Sequence, residues 1–216
     1  SPSTTRSASR PRAAPPPGAS VGLPLGRPAR IAVIASGRGS NVASLMAAFP
    51  PGSQEAEVVL VAGEKAQAPA LTRARETGVE AVHVPWDTRE GFEARLDELL
   101  RSRRVDLVCL AGFMRVLSPW FVGRWYGRLL NVHPSLLPKH RGLHAHRQAL
   151  AEGVSESGCS VHFVDAGVDT GKVIVQRRVP VYPDDTEETL AARVLVEEHV
   201  AYPEAVRMVL RGEVTP

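Results

Sequence analysis

Cysteine is scarce in this sequence of 216 residues, and it has neither long apolar runs nor a strong excess of one charge. The only two cysteines, Cys109 and Cys159, lie within apolar runs, which favours reduced core residues over a disulfide. No apolar run approaches the roughly 20 residues that are needed to cross a bilayer. We therefore expect a soluble, cytoplasmic protein without a membrane partner.

Positive charge is concentrated at the N-terminus. The first 27 residues contain four arginines and no acidic residue, so without them the formal net charge of +3 becomes −1. A basic surface for nucleic acid is therefore not expected. Residues 1–28 are rich in proline, alanine and serine, and they lack the apolar segment of a secretory signal. They are predicted to be a disordered tail, and residues 29–216 are predicted to form one domain.

Several common catalytic motifs are also missing. The sequence has no His-Glu-x-x-His pair, and neither cysteine has the spacing of a zinc ligand, so no metal is expected. Ser135 lacks the Gly-x-Ser-x-Gly turn of a serine hydrolase, which argues against a catalytic serine.

The turn at residues 36–41 (Ser-Gly-Arg-Gly-Ser-Asn) also departs from the known nucleotide motifs. It contains neither Gly-x-Gly-x-x-Gly nor the Gly-Lys-Ser/Thr of a P-loop. Glycines before a helix nevertheless let backbone N–H groups approach an anion. We interpret this turn as a site for one phosphate monoester, with a simple capped strand–helix turn as the alternative.

The apolar pattern predicts an α/β fold. Apolar strands at 31–35, 58–62, 81–84 and 107–110 alternate with helical patterns, and a short helix near 119–125 precedes a strand ending at Asn131. Strands that are apolar throughout and separated by helices predict a doubly wound, mostly parallel sheet flanked by helices. A C-terminal antiparallel hairpin is predicted from residues 160–164 and 173–176. A long helix is predicted over 186–210, with Pro203 expected to kink or interrupt it.

Asn131 and His133 are the strongest candidates for catalysis. Two residues apart on a strand, they project to the same face. An amide that can donate to a developing oxyanion, beside an imidazole that can move a proton near neutral pH, is typical of acyl transfer or hydrolysis. A capped strand end with an incidental histidine explains this segment equally well. Asp169, in a glycine-flanked loop, would orient and charge His133 if the two meet, or it could cap a turn.

Over residues 29–210 the sequence resembles the phosphoribosylglycinamide formyltransferases, folate-dependent enzymes of purine synthesis. The resemblance is carried by residues 36–41, 110–119 (Leu-Ala-Gly-Phe-Met-Arg-Val-Leu-Ser-Pro), 130–138 (Leu-Asn-Val-His-Pro-Ser-Leu-Leu-Pro), 142–150 and 161–164. It implies that the amine of glycinamide ribonucleotide directly attacks the formyl carbon of 10-formyltetrahydrofolate, with no covalent enzyme intermediate. It also implies an N-terminal mononucleotide-binding half and a C-terminal folate-binding half.

The resemblance implies three sets of site residues. Its catalytic positions fall on Asn131, His133 and Asp169. Its nucleotide-binding positions fall on Gly39, Ser40, Asn41, Leu195, Val196, Glu197 and Glu198. Its folate-binding positions fall on Arg89, Met114, Arg115, Val116, Leu117, Asn131, Asp165, Ala166, Gly167, Val168 and Asp169. Glu64 and Arg141 depart from the residue types expected at their positions.

Other functions remain as alternatives at this point. Methionyl-tRNA formyltransferases share the catalytic segment, but they should add an RNA-binding domain and a basic surface. Formyltetrahydrofolate hydrolases use water in place of the amine and should carry an N-terminal regulatory domain. A non-catalytic folate- or nucleotide-binding module is the alternative from a different class. The partners expected are two small molecules, the nucleotide and formyl folate, without nucleic acid; a homodimer is a possible assembly.

Overall fold

The computed structural model describes residues 23–216, which build a seven-stranded sheet between two layers of helices. In chain order the elements are β1 (Ala29–Ile34), α1 (Ser40–Ala48), β2 (Ala56–Gly63), α2 (Pro69–Glu76), β3 (Glu80–His83), α3 (Arg89–Ser102), β4 (Leu107–Leu110), α4 (Pro119–Arg124), β5 (Leu129–His133), α5 (Ala145–Glu152), β6 (Glu156–Phe163), β7 (Val173–Pro180) and α6 (Glu187–Leu210).

The sheet has the order β3-β2-β1-β4-β5-β6-β7. The first five of these neighbours run parallel, whereas β6 pairs antiparallel with β5, and β7 pairs antiparallel with β6. The predicted mostly parallel, doubly wound sheet with a C-terminal hairpin and a long final helix is therefore confirmed. Helix α5 had not been predicted as an element.

Two apolar clusters cover the two faces of the sheet. In β1, Ile31 and Val33 belong to one cluster, while Ala32 and Ile34 belong to the other. Alternate residues of a strand point to opposite faces, so the two clusters lie on opposite sides. Buried residues of α1, α2 and α6 complete the first cluster, and those of α3 and α4 complete the second. Because helices cover both faces of the sheet, a ligand can reach it only at its edges, such as the one where the parallel strands end.

Pro203 does not interrupt α6, so of the expected kink or interruption, the interruption is wrong. The helix continues from Glu187 to Leu210 with Pro203 inside it. Proline has no N–H, so it cannot bond the carbonyl of His199 four residues earlier. Ser44 of α1 fills this gap, because its Oγ donates to the His199 carbonyl over 2.8 Å. No helix between residues 23 and 216 is both long and apolar enough to cross a membrane.

The predicted tail of residues 1–28 lies outside the described residues up to position 22. Its last part, residues 23–28, packs on the domain instead. Leu23 and Leu25 contact the first apolar cluster. The Arg27 guanidinium makes two hydrogen bonds to the Asp106 carboxylate, at 2.7 and 2.8 Å. An apolar contact and an ion pair thus attach residues 23–28 to the domain.

Candidate active site

The fold itself indicates where a ligand should lie. The sheet order reverses direction between β1 and β4, and in open α/β sheets ligands bind at the carboxyl ends of the strands beside such a point. Three candidate segments follow strands at this edge. Residues 36–41 follow β1, residues 111–118 follow β4, and β5 ends with Asn131, Val132 and His133.

Gly39 shapes the turn between β1 and α1. Its φ of 73° is left-handed, and a Cβ there would lie only 2.7 Å from the Cβ of Ala70. A side chain is therefore excluded both by the backbone and by the close approach of α2. Helix α1 begins directly after it with no side-chain cap and no acidic residue in the first turn. Its first N–H groups are therefore available to an anion.

Asn41 connects this turn to α6. Its Nδ2 donates to Glu198 Oε1 over 3.0 Å, and both side chains are buried. Burial raises the pKa of the Glu198 carboxyl, while the hydrogen bond from Asn41 opposes this effect. Asn41 Oδ1 has no hydrogen-bond partner within the described part of the chain. A buried amide oxygen of this kind can accept from a bound hydroxyl or amine.

The other three α6 positions of the predicted nucleotide site do not join the turn in this way. Consecutive helical residues point in different directions, about 100° apart. Glu197 pairs with Arg177 on β7, and Val196 is 62% exposed. Leu195 is half-buried. Of the four, Glu198 is the one whose side chain is hydrogen-bonded to the turn.

The predicted catalytic residues meet at the end of β5. His133 Nδ1 lies 3.3 Å from Asp169 Oδ2, although 36 positions separate the two residues in sequence. His133 Nε2 lies 2.7 Å from the carbonyl oxygen of His140. The backbone N–H of Gly142 donates to Asp169 Oδ2 over 2.9 Å, which holds the carboxylate beside the ring. Asp169 itself adopts a left-handed φ of 53°.

The two ring nitrogens of His133 face groups that can only accept a hydrogen bond, the Asp169 carboxylate at Nδ1 and the His140 carbonyl at Nε2. Burial alone would raise the pKa of Asp169, but the neighbouring imidazoles of His162 and His133 and the hydrogen bond from Gly142 outweigh it, so this pKa is lowered. Asp169 thus stays ionised, and a carboxylate beside an imidazole stabilises the imidazolium.

Asn131 is the member of the cluster whose side chain has no hydrogen-bond partner among residues 23–216. It lies on β5 two residues before His133, so both side chains project from one face of the sheet. Its side chain is half-buried and makes no hydrogen bond to another residue of the 23–216 range. The amide N–H groups are therefore free to donate to a bound oxygen.

Ser135 and the two cysteines do not supply a nucleophile. The Ser135 hydroxyl is fully buried and donates to the carbonyl of Lys139, so it stabilises the turn after β5. Cys109 and Cys159 are free and buried, which confirms the expectation of reduced core residues. Burial raises the pKa of each thiol to about 12, so neither forms a thiolate near neutral pH.

Three of the predicted folate positions are exposed apolar side chains. Met114 and Val116, in the loop after β4, are 65% and 67% exposed, and Val168 in the loop before β7 is 57% exposed. Leu117 instead packs on the second apolar cluster. Exposed apolar side chains concentrated at one edge indicate a binding surface for an apolar ring.

The polar members of the predicted folate set have different roles. Asp165 accepts hydrogen bonds from Gly167 N at 2.9 Å and from Thr170 Oγ1 at 2.6 Å, so it shapes its own loop. Arg89 is the exposed first residue of α3. The Arg115 guanidinium lies 4.7 Å from the centre of the Trp86 ring. Ala166 and Gly167 are exposed in the same loop as Asp165.

Sequence reasoning missed several contacts of this site. Ser36 Oγ donates to Glu64 Oε2 over 3.0 Å and accepts from Met114 N over 2.9 Å, so it joins the ends of β1, β2 and β4. His162 Nε2 lies 3.5 Å from Asp169 Oδ1. The sequence does contain a signal for His162. On β6 it lies directly opposite Asn131 of β5, so pairing these two strands places it beside the cluster. Across residues 23–216 no group of three or more His, Cys, Asp or Glu side chains could hold a metal ion.

Comparison with known proteins defines the class. The formyl transferase family model matches residues 29–206, and the chain belongs to this family. Among individual proteins, it is 46% identical over 177 residues to the phosphoribosylglycinamide formyltransferase of Escherichia coli, covering 80% of this chain and 83% of that one. The glycinamide ribonucleotide transformylase 1 of Symbiobacterium toebii has a solved structure that superposes with a TM-score of 0.83 at 44% identity, covering 90% of this chain and 93% of that one.

Longer relatives contain a similar segment. The trifunctional purine biosynthetic protein adenosine-3 of Drosophila melanogaster is 50% identical over 188 residues, which cover 85% of this chain but only 14% of that protein. The chain thus spans about one seventh of the trifunctional relative and most of the bacterial one.

Proposed function

We propose that this chain transfers the formyl group of 10-formyltetrahydrofolate to the amine of glycinamide ribonucleotide, a step of purine biosynthesis. The carrying observation is the contact of His133 with Asp169 beside the free amide of Asn131, in a chain that belongs to the formyl transferase family. The names of the bacterial relatives and of the Symbiobacterium structure support this substrate pair.

The nucleotide would be held at the turn after β1. Its phosphate would accept hydrogen bonds from the backbone N–H groups of Ser40 and Asn41 at the start of α1, where Gly39 allows close backbone approach. The buried Glu198 carboxylate and the Asn41 amide oxygen would accept from hydroxyl or amine groups of the nucleotide. This handle fixes the nucleotide at one end and leaves its amine near the end of β5.

The formyl transfer itself would use the cluster on β5. The amine attacks the formyl carbon, and the carbonyl oxygen gains negative charge in the tetrahedral intermediate. The Asn131 amide donates to that oxygen, and the positive His133 ring lowers its energy further. When the intermediate collapses, the bond from the formyl carbon to the folate nitrogen breaks, the amine loses a proton and the folate nitrogen gains one. His133 is placed to move this proton while Asp169 keeps the ring charged.

The lack of a usable nucleophile in the cluster supports direct transfer. Ser135 is buried in its turn, and both thiols are held protonated, so an acyl-enzyme has no obvious attachment point. Direct transfer requires both substrates to be bound together. Holding two reactants in contact can supply several kcal/mol of the barrier reduction, about 7–11 in favourable systems.

The folate would lie against the exposed apolar side chains of the loop after β4 and the loop before β7. Met114, Val116 and Val168 would contact its ring system, and Arg89 and Arg115 would provide N–H donors. No metal is required by this chemistry. The partners are thus two small molecules; a homodimer and a cytoplasmic location belong to the same proposal.

One assay tests the proposal. The protein is mixed with 10-formyltetrahydrofolate, and release of tetrahydrofolate is followed with and without glycinamide ribonucleotide. We expect release only with the nucleotide and one formylated nucleotide per tetrahydrofolate. Release that does not depend on the nucleotide would instead identify a hydrolase. No release with either mixture, together with measurable folate binding, would identify a binding module.

A further inference from the structure

A short stack of side chains lies behind the predicted folate-binding loop. The ring centres of Trp86 and Phe92 are 4.8 Å apart, and those of Phe92 and Phe113 are 5.7 Å apart with nearly parallel planes. The Arg115 guanidinium covers the Trp86 ring at 4.7 Å. The stack therefore starts and ends in one loop, because Phe113 and Arg115 are two residues apart.

This arrangement determines where Met114 points. Phe113 and Arg115 are both drawn to the side of α3, where Phe92 and Trp86 hold them. The residue between them is 65% exposed, and its backbone N–H donates to Ser36 Oγ over 2.9 Å. Met114 is therefore displayed away from the stack, at the edge of the sheet that carries the site.

Contacts of the two residues next to Trp86 hold it in place. Arg95 donates to the carbonyl of Pro85 at 3.2 Å and pairs with both carboxylate oxygens of Asp87 at 3.0 and 3.1 Å. The residues on each side of Trp86 are thus fixed to α3, and its ring packs on Phe92. A fixed ring can orient a neighbouring long side chain that would otherwise sample many rotamers.

The contact with Trp86 leaves the N–H donors of the Arg115 guanidinium available to a bound molecule. A cation over a ring uses the flat face of the guanidinium, whereas its hydrogen-bond donors lie along the edges. Within residues 23–216 the Arg115 guanidinium makes no hydrogen bond or ion pair. Those donors are therefore oriented and unoccupied, which suits a carboxylate or carbonyl oxygen of a bound molecule.

We propose that Trp86 is a positioning residue for the formyl folate co-substrate, because it orients the Arg115 guanidinium and holds the loop that displays Met114. This inference rests on the proposed function. It assigns Trp86 to folate affinity and not to the nucleotide or to the chemical step. The energy of one partly exposed cation–π contact corresponds to a change of about fivefold in affinity.

The test compares Trp86→Ala with Trp86→Phe, which keeps an aromatic face for both Phe92 and Arg115. We expect Trp86→Ala to raise the KM for 10-formyltetrahydrofolate about fivefold, with kcat and the KM for the nucleotide within about twofold of the wild type. Trp86→Phe should recover most of the loss. Trp120→Ala is the matched control. The Arg124 guanidinium of α4 lies 5.0 Å from the centre of the Trp120 ring, and this pair has no assigned role.

A second pair of variants separates positioning from general structural damage. If Trp86 acts through Arg115, then adding Trp86→Ala to Arg115→Ala should change the folate KM by less than about twofold. Equal loss in both backgrounds, equal increases in both KM values, or no effect of Trp86→Ala would each overturn the proposal. Calorimetric titration with tetrahydrofolate gives the same comparison without turnover. If the wild type binds tetrahydrofolate but forms no product, the proposed function fails, while the affinities of these variants still decide the role of Trp86.

Discussion

The proposed nucleotide turn and the proposed catalytic cluster both follow strands of the sheet, but the turn is formed by backbone groups and the cluster by side chains. The turn depends on backbone: a left-handed Gly39 packed on Ala70, and the uncapped start of α1. The cluster depends on side-chain charge: His133 between the Asp169 carboxylate and the His140 carbonyl. Changes in the turn should therefore affect binding, whereas changes in the cluster should affect the chemical step.

The largest effect is expected in the cluster. His133→Ala and Asp169→Asn should each lower kcat by roughly two to four powers of ten, because each removes proton transfer or the charge that sustains it. The KM for the nucleotide should change little. Steady-state kinetics with both substrates varied measures this. Asp184→Asn, an exposed carboxylate before α6, is the matched control. Activity of Asp169→Asn within a few-fold of the wild type would refute the assigned role.

The next effect is expected at Gly39. Gly39→Ala puts a Cβ 2.7 Å from Ala70 and forces a left-handed φ on alanine, at a cost of about 1–2 kcal/mol from the backbone alone. The turn should shift, so the nucleotide KM should rise by roughly tenfold or more while kcat is largely kept. Gly37→Ala serves as control, because a Cβ there meets nothing within 4 Å. If both alanine variants behave alike, the packing argument is wrong.

A smaller effect is expected at Glu198. Glu198→Gln should raise the nucleotide KM about tenfold or less, since a charged acceptor is replaced by a neutral one. Burial raises the pKa of this carboxyl in the folded chain. At pH values between the unfolded and the folded pKa, the unfolded chain therefore binds fewer protons than the folded one, and stability falls as the pH rises. The wild type should lose stability there relative to the glutamine variant. Thermal unfolding of both proteins between pH 4 and pH 8 measures it, and parallel curves would contradict the prediction.

The smallest effect concerns the stability given by Asp169. Its pKa is lowered in the folded state, so its stabilisation is complete above about pH 4 and is lost as the pH falls through the folded value. The difference in unfolding free energy between the wild type and Asp169→Asn should therefore shrink on acidification below pH 4. Urea unfolding at several pH values measures this difference. A difference that is constant with pH would show that the carboxylate charge contributes nothing.

The fold was largely predictable from the sequence, and the reason is visible in β1. Ile31 to Ile34 are buried on both faces, so a continuous apolar run was a reliable signal of a parallel strand. Helix α5 was missed because it begins at Ala145 after a left-handed His144, without a side-chain cap. The behaviour of α6 at Pro203 also depended on a partner, since Ser44 takes the carbonyl that proline leaves unbonded.

The site was predictable only in part. The residue pattern already singles out His133, with Asp169 as its partner if the two meet, but their contact depends on the β5–β6 pairing that brings residues 36 positions apart together. Linking contacts made by Ser36 and Glu64 carry no local pattern, because each joins the ends of different strands. The stack from Phe113 to Arg115 through α3 is likewise a tertiary feature.

The division between binding and chemistry is tested most directly by a single-turnover measurement. Excess enzyme carrying Gly39→Ala or Asp169→Asn is mixed with 10-formyltetrahydrofolate and a saturating concentration of glycinamide ribonucleotide, and the formation of formylated nucleotide is followed. We predict that saturation returns Gly39→Ala to within about threefold of the wild-type rate, whereas Asp169→Asn stays at least about one hundredfold slower. Equal rates for the two variants under saturation would contradict the account.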